Sequence, residues 1–109
     1  MERTNYIQLV LNCGSWQEAQ AIADELLNTH LIACAEFMEI KSRYAWKNTI
    51  ESSDEVKIIM QSIGTNFTSI EKVVRKLHSY EIFVLEALPL SHVSKEASMW
   101  LHTSLKSTN

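Results

Sequence analysis

Apolar residues along this chain recur either every second position or every third to fourth, the periods of strands and helices respectively. Tyr6 to Asn12 reads as a strand, with Leu9 and Val10 favouring burial on both faces. Cys13-Gly14 breaks it, and Ser15 then stands three residues before Glu18, a capping box. Behind that cap, Ala19, Ile22, Ala23, Leu26 and Leu27 form one apolar stripe of a helix running to about His30. From Leu31 to Trp46 the residues Ile32, Cys34, Met38, Ile40, Tyr44 and Trp46 fall at even spacing, which predicts a long strand. Glu36 and Ser42 interrupt that face, so part of it is not simple core. Lys47-Asn48-Thr49 reads as a turn, because Asn tolerates the left-handed conformation.

A strand is predicted over Glu55 to Ser62, with Val56, Ile58 and Met60 on one face. Gly64-Thr65-Asn66 ends it and offers caps for a helix whose stripe is Phe67, Ile70, Val73, Val74 and Leu77. Ser79-Tyr80-Glu81 breaks that helix, and Ile82 to Leu88 reads as the most apolar strand, closed by Pro89. Ser94 can cap a last helix carrying Ala97, Trp100, Leu101 and Leu105. The order is β-α-β-β-α-β plus a C-terminal helix, a ferredoxin-like α+β sandwich. Two helices cover one face of such a sheet, and the other face is left for solvent or for a second copy.

With 109 residues, the chain is expected to be a single domain, 1–109. Two Gly and one Pro leave little room for linkers. A net charge of -3 and scattered cations argue against nucleic acid. No stretch approaches the ~20 apolar residues of a membrane span, so no membrane insertion is expected. Met1 to Asn5 lacks a basic start and an apolar signal stretch, which points to the cytoplasm. Cys13 and Cys34 form no CxxC pair and read as thiols. There is no phosphate loop and no nucleophile motif, so no catalytic residue is assigned and the chain reads as a binding or sensing module rather than an enzyme. His30 and His78 stand at predicted helix ends, where an imidazole meets the last carbonyls, while His92 and His102 read as surface residues. Tyr44, Trp46, Tyr80 and Trp100, aromatics with polar tips, suit either an interface or cleft or the core of one subunit.

Several segments, in order and spacing, resemble the CutA family of divalent-cation tolerance proteins: Leu31-Ile32-Ala33-Cys34, Ser42-Arg43-Tyr44-Ala45-Trp46, Glu55 to Met60, His78-Ser79-Tyr80-Glu81, Leu88-Pro89-Leu90 and Trp100-Leu101. The resemblance implies a non-enzymatic homotrimer involved in the response to metal ions, with copper or another divalent cation as the bound species. It also implies a PII-like assembly, and hence the alternative of a signalling module that binds a small anion or nucleotide in clefts between subunits. The departures bear on function. Trp46-Lys47-Asn48-Thr49 replaces a Trp-Glu-Gly-Lys, Tyr80-Glu81-Ile82-Phe83-Val84 replaces a Tyr-x-x-Pro-Glu, and Leu77-His78 keeps one of two histidines. The family cysteine associated with copper aligns with Leu11, two residues before Cys13. The metal candidates are therefore His78 and Cys13, and binding is expected to be weak, since a soft site needs two or three converging donors. Cys34, flanked by Ala33 and Ala35, reads as core.

Overall fold

The computed structural model describes residues 5–106, and the reading of Met1 to Thr4 lies outside them. The elements are β1 (Tyr6–Cys13), α1 (Trp16–Asn28), β2 (Cys34–Trp46), β3 (Thr49–Ile63), α2 (Phe67–Leu77), β4 (Leu85–Pro89) and α3 (Lys95–Ser104), with a 3-10 turn at Gly64–Asn66. They form a 4-stranded antiparallel sheet in the order β2-β3-β1-β4. This is the ferredoxin-like arrangement with an added helix.

Alternation along the strands fixes the core. Leu9, Leu11 and Cys13 of β1 and Val56, Ile58 and Met60 of β3 meet Ala19, Ile22 and Leu26 of α1 and Ile70 and Val74 of α2. The predicted stripe of α2 is trimmed at its end, because Leu77 is exposed. Helix α1 ends in a Schellman motif: His30 N donates to Leu27 O and Leu31 N to Leu26 O. His30 takes the left-handed position usually given to Gly, with φ 61, and its carbonyl accepts from Lys106 N at 2.8 Å.

Three strand boundaries and the buried face of β2 differ from the sequence expectation. Strand β2 begins at Cys34, because Leu31 and Ile32 are used to close the helix end and fill the core. On β2 it is Ala35 and Phe37 that pack on the core, so Cys34, Glu36, Met38 and Ile40 point away from the helices. Cys34 is thus half-buried rather than core. Strand β3 begins at Thr49, six residues before the predicted Glu55. Strand β4 is confined to Leu85–Pro89, with Ile82 and Val84 exposed ahead of it.

The early start of β3 creates an arm. Pairing of β1 with β3 stops at Cys13↔Val56, whereas β2 and β3 stay paired to Trp46↔Thr49. The hairpin therefore runs roughly 20 Å beyond the sheet, consistent with overall extents of 50 × 25 × 22 Å. Its tip is a two-residue turn in which Lys47 and Asn48 both have positive φ, the geometry that matches strand twist.

Candidate functional site

The end of β1, the start of α1 and the segment after α2 meet at the foot of the arm. Cys13 is the last residue of β1 and fully buried. Glu18 follows one turn into α1. Ser15 Oγ accepts from Glu18 N at 3.1 Å, as the capping box predicts. The Glu18 carboxylate does not return to the Ser15 amide. It accepts from Gly14 N at 2.9 Å and from Ser79 N at 2.6 Å, tying α1 to the end of α2. His78 terminates α2, and its ring stacks on Phe83 at 5.4 Å.

Ligand atoms of Cys13, Glu18 and His78 lie within 4.8 Å of one another, the one such group of three among the described residues. Both ring nitrogens of His78 are in use. One stands 2.8 Å from Asn12 O, which can only accept, so Nε2 carries the proton. Nδ1 accepts from Tyr80 N at 3.0 Å and lies 3.9 Å from Glu18 Oε2. Burial, then the carboxylates of Glu18 and Glu55, push the Cys13 thiol up to about 12. Burial would raise the Glu18 carboxyl as well, but hydrogen bonds from Ser79 and Gly14 and the nearby imidazole outweigh it and hold the group below its ordinary value. Asn12 Oδ1 is buried with no hydrogen-bond partner.

Tyr80 extends the site toward the arm. Its hydroxyl donates to Glu55 Oε2 at 2.6 Å, and Glu55 is buried where the arm leaves the sheet. Burial, followed by that hydrogen bond, raises the Tyr80 phenol. Beside it opens a cleft of about 520 Å3 lined by Ser15, Trp16, Glu39, Lys41, Asp54 and Glu55. Lys41 is paired with Asp54 at 2.9 Å, so the remaining lining is acidic and does not favour an anion.

The two predicted metal candidates, Cys13 and His78, are thus brought together. The four predicted interface aromatics are spread out: Tyr44 and Trp46 lie on the arm, Tyr80 at its foot and Trp100 on α3, and no close ring pair joins any two of them among the described residues. Sequence reasoning missed Glu18 as a third donor. The signal was present, because a capping carboxylate folds back over the residues preceding its helix, and here these are Cys13-Gly14.

The description "CutA1 divalent ion tolerance protein" belongs to a family model that matches residues 7–104. The chain belongs to the CutA1 family. The divalent-cation tolerance protein CutA of Archaeoglobus fulgidus is 29% identical over 98 residues, 90% of this chain and 96% of that protein. Its counterpart in Thermotoga maritima is 33% identical over 89 residues, 82% of this chain and 88% of that one. Among solved structures, a CutA from Archaeoglobus fulgidus described as periplasmic superposes with a TM-score of 0.90 at 28% identity, covering 93% of this chain and 99% of that one. CutA1 from the psychrotrophic bacterium Shewanella sp. SIB1, described as a stable protein, gives 0.91 at 25% identity over 97% and 100%. No helix among the described residues is long and apolar enough to cross a membrane.

The thiol environments give a direct test. Cys13 is expected to resist alkylation in the folded protein at pH 8, while the half-buried Cys34 reacts. The Cys13 thiol ionises near 9.0 unfolded and about 12 folded, so the unfolded chain loses its proton first and stability falls as pH rises through that window. Cys13→Ala should remove this share of the alkaline loss, read by denaturant titration at pH 8 and pH 10.

Proposed function

We propose that this CutA1-family chain is a single-domain, non-enzymatic, homotrimeric divalent-cation tolerance protein of the cytoplasm, with a weak copper site at Cys13 and His78. The observation that carries the metal reading is the convergence of a thiol, an imidazole and a carboxylate within 4.8 Å at the foot of the arm. A thiolate and an imidazole suit a soft or borderline cation. Weakness follows from what must be given up. The thiol has to lose a proton that burial holds on, and the imidazole and carboxylate have to leave amide partners. Calorimetry with Cu(I) under reducing conditions tests this. Weak binding lost in both Cys13→Ser and His78→Gln is expected, and tight binding that survives both changes overturns the placement.

Exposed apolar surface supports self-assembly. The arm carries exposed Tyr44 and Ile50, the latter 72% exposed, and half-buried Trp46. Edge strand β4 carries exposed Leu88, the segment ahead of it exposed Ile82 and Val84, and α3 exposed Met99 and Trp100. An arm without a core of its own and an unpaired apolar edge complement each other between copies. Light scattering at micromolar concentration is expected to give a trimer, and a stable 12.5 kDa species would refute it. Trp46→Ala should weaken assembly in sedimentation. Trp16→Ala should leave assembly intact, because Trp16 packs edge-on against Phe37 of its own subunit at 5.0 Å.

A further inference from the structure

The imidazole of His78 has no spare lone pair. Nε2 donates to Asn12 O, and the lone pair on Nδ1 is taken by the Tyr80 amide at 3.0 Å. A metal binds neutral imidazole through that lone pair. Nδ1 is also the nitrogen that faces Glu18, 3.9 Å from Oε2. Glu18 in turn holds Ser79 N at 2.6 Å, so two of the three donors are engaged with successive amides of one segment.

That segment is anchored further along. The Tyr80 hydroxyl donates to Glu55 at 2.6 Å, and its ring lies so close to Gly14 that a Cβ there would stand 3.1 Å from Cε1. Glu55 is the first residue of the arm beyond the last β1–β3 pair, Cys13↔Val56. Phe83, stacked on His78 and covered by the Arg75 guanidinium at 5.0 Å, completes the packing of the segment.

We propose that a cation held by Cys13, Glu18 and His78 and the latch between Tyr80 and Glu55 exclude each other, so that metal binding releases residues 79–84 and the foot of the arm. The proposal rests on the weak-site reading above and names what makes the site weak. Binding at His78 Nδ1 removes the acceptor of the Tyr80 amide, and binding at Glu18 removes an acceptor of the Ser79 amide. With both amide acceptors withdrawn, the segment carries the Tyr80 ring away from Gly14 and its phenol off Glu55. Reciprocally, cutting the latch lowers the cost of vacating the site, as linkage requires.

The full chain is titrated with Cu(I) under reducing conditions as wild type and as Tyr80→Phe. The substitution keeps the ring against Gly14 and deletes only the donor to Glu55. Losing a hydrogen bond to a carboxylate is expected to tighten copper binding about tenfold. Amide exchange of residues 79–84 in the wild type should accelerate on adding Cu(I). Equal affinity in the two proteins, or unchanged exchange at 79–84 in the copper-loaded wild type, overturns the exclusion. Binding by Tyr80→Phe alone, with none by the wild type, upholds the exclusion while the weak-site reading fails. No binding by either protein overturns both. Addition of Cys13→Ser to Tyr80→Phe should abolish the gain, and a gain that persists overturns the exclusion at this site.

Discussion

Asn66→Ala is expected to lower the folding stability by about 2–4 kcal/mol. Asn66 is fully buried at the start of α2. Its amide does not cap the helix. It donates to Leu31 O at 3.3 Å and to Lys106 O at 2.6 Å, and it lies 3.3 Å from Ser62 Oγ, whose hydroxyl itself donates to Leu31 O at 2.6 Å. One side chain thus joins the end of β3, the turn after α1 and the segment after α3. Removing it leaves the Lys106 carbonyl without this donor and opens a cavity that its neighbours cannot fill without breaking further bonds. Leu31 O keeps Ser62, which limits the loss. Urea denaturation at fixed protein concentration measures the change, since the proposed assembly would make apparent stability concentration-dependent. Thr68→Ala, on the exposed side of α2, is the control and should stay within ~0.5 kcal/mol. A cost that small for Asn66→Ala would mean that the remaining bonds, Lys106 N to His30 O and Ser62 Oγ to Leu31 O, hold the three segments without it.

The second large effect belongs to His78→Ala, with an expected loss of about 2–4 kcal/mol. The side chain is fully buried. Its removal orphans Asn12 O and the Tyr80 amide and strips one face of Phe83. The segment after α2 should loosen together with it, so near-ultraviolet dichroism from Tyr80 and Phe83 is expected to fall in step with the denaturation midpoint. A midpoint within ~0.5 kcal/mol of wild type would show that the imidazole is dispensable to the fold. The same result would weaken the competition between cation and latch, which requires His78 to hold Tyr80.

The fold was legible where burial imposed a period. The stripe of α1 and the alternation of Val56, Ile58 and Met60 were both readable, because each element shows one face to the core. The first six residues of β3, Thr49 to Asp54, carry no such alternation: the arm stands outside the core and burial selects nothing there. Ile82 and Val84 misled for the opposite reason, since they are apolar without being buried in this subunit. The site was half legible. Cys13 and His78 stood out as residue types, but their meeting depends on β1 and α2 ending at the same edge of the molecule.

The sequence by itself determined the order of elements, the core faces of β1, α1 and β3 and the family to which the chain belongs, because these follow from local periodicity and short motifs. Only the tertiary structure decided the partners of its polar groups. Glu18 was readable as a cap but became the link to Ser79, Asn66 was readable as a cap but became the joint of three segments, and His78 was readable as a donor but proved to be occupied. The physical reason is the same in each case. A buried polar side chain has to satisfy its hydrogen bonds with whatever the fold brings within about 3 Å, and apart from the Tyr80 amide beside His78 those neighbours lie tens of residues away in sequence.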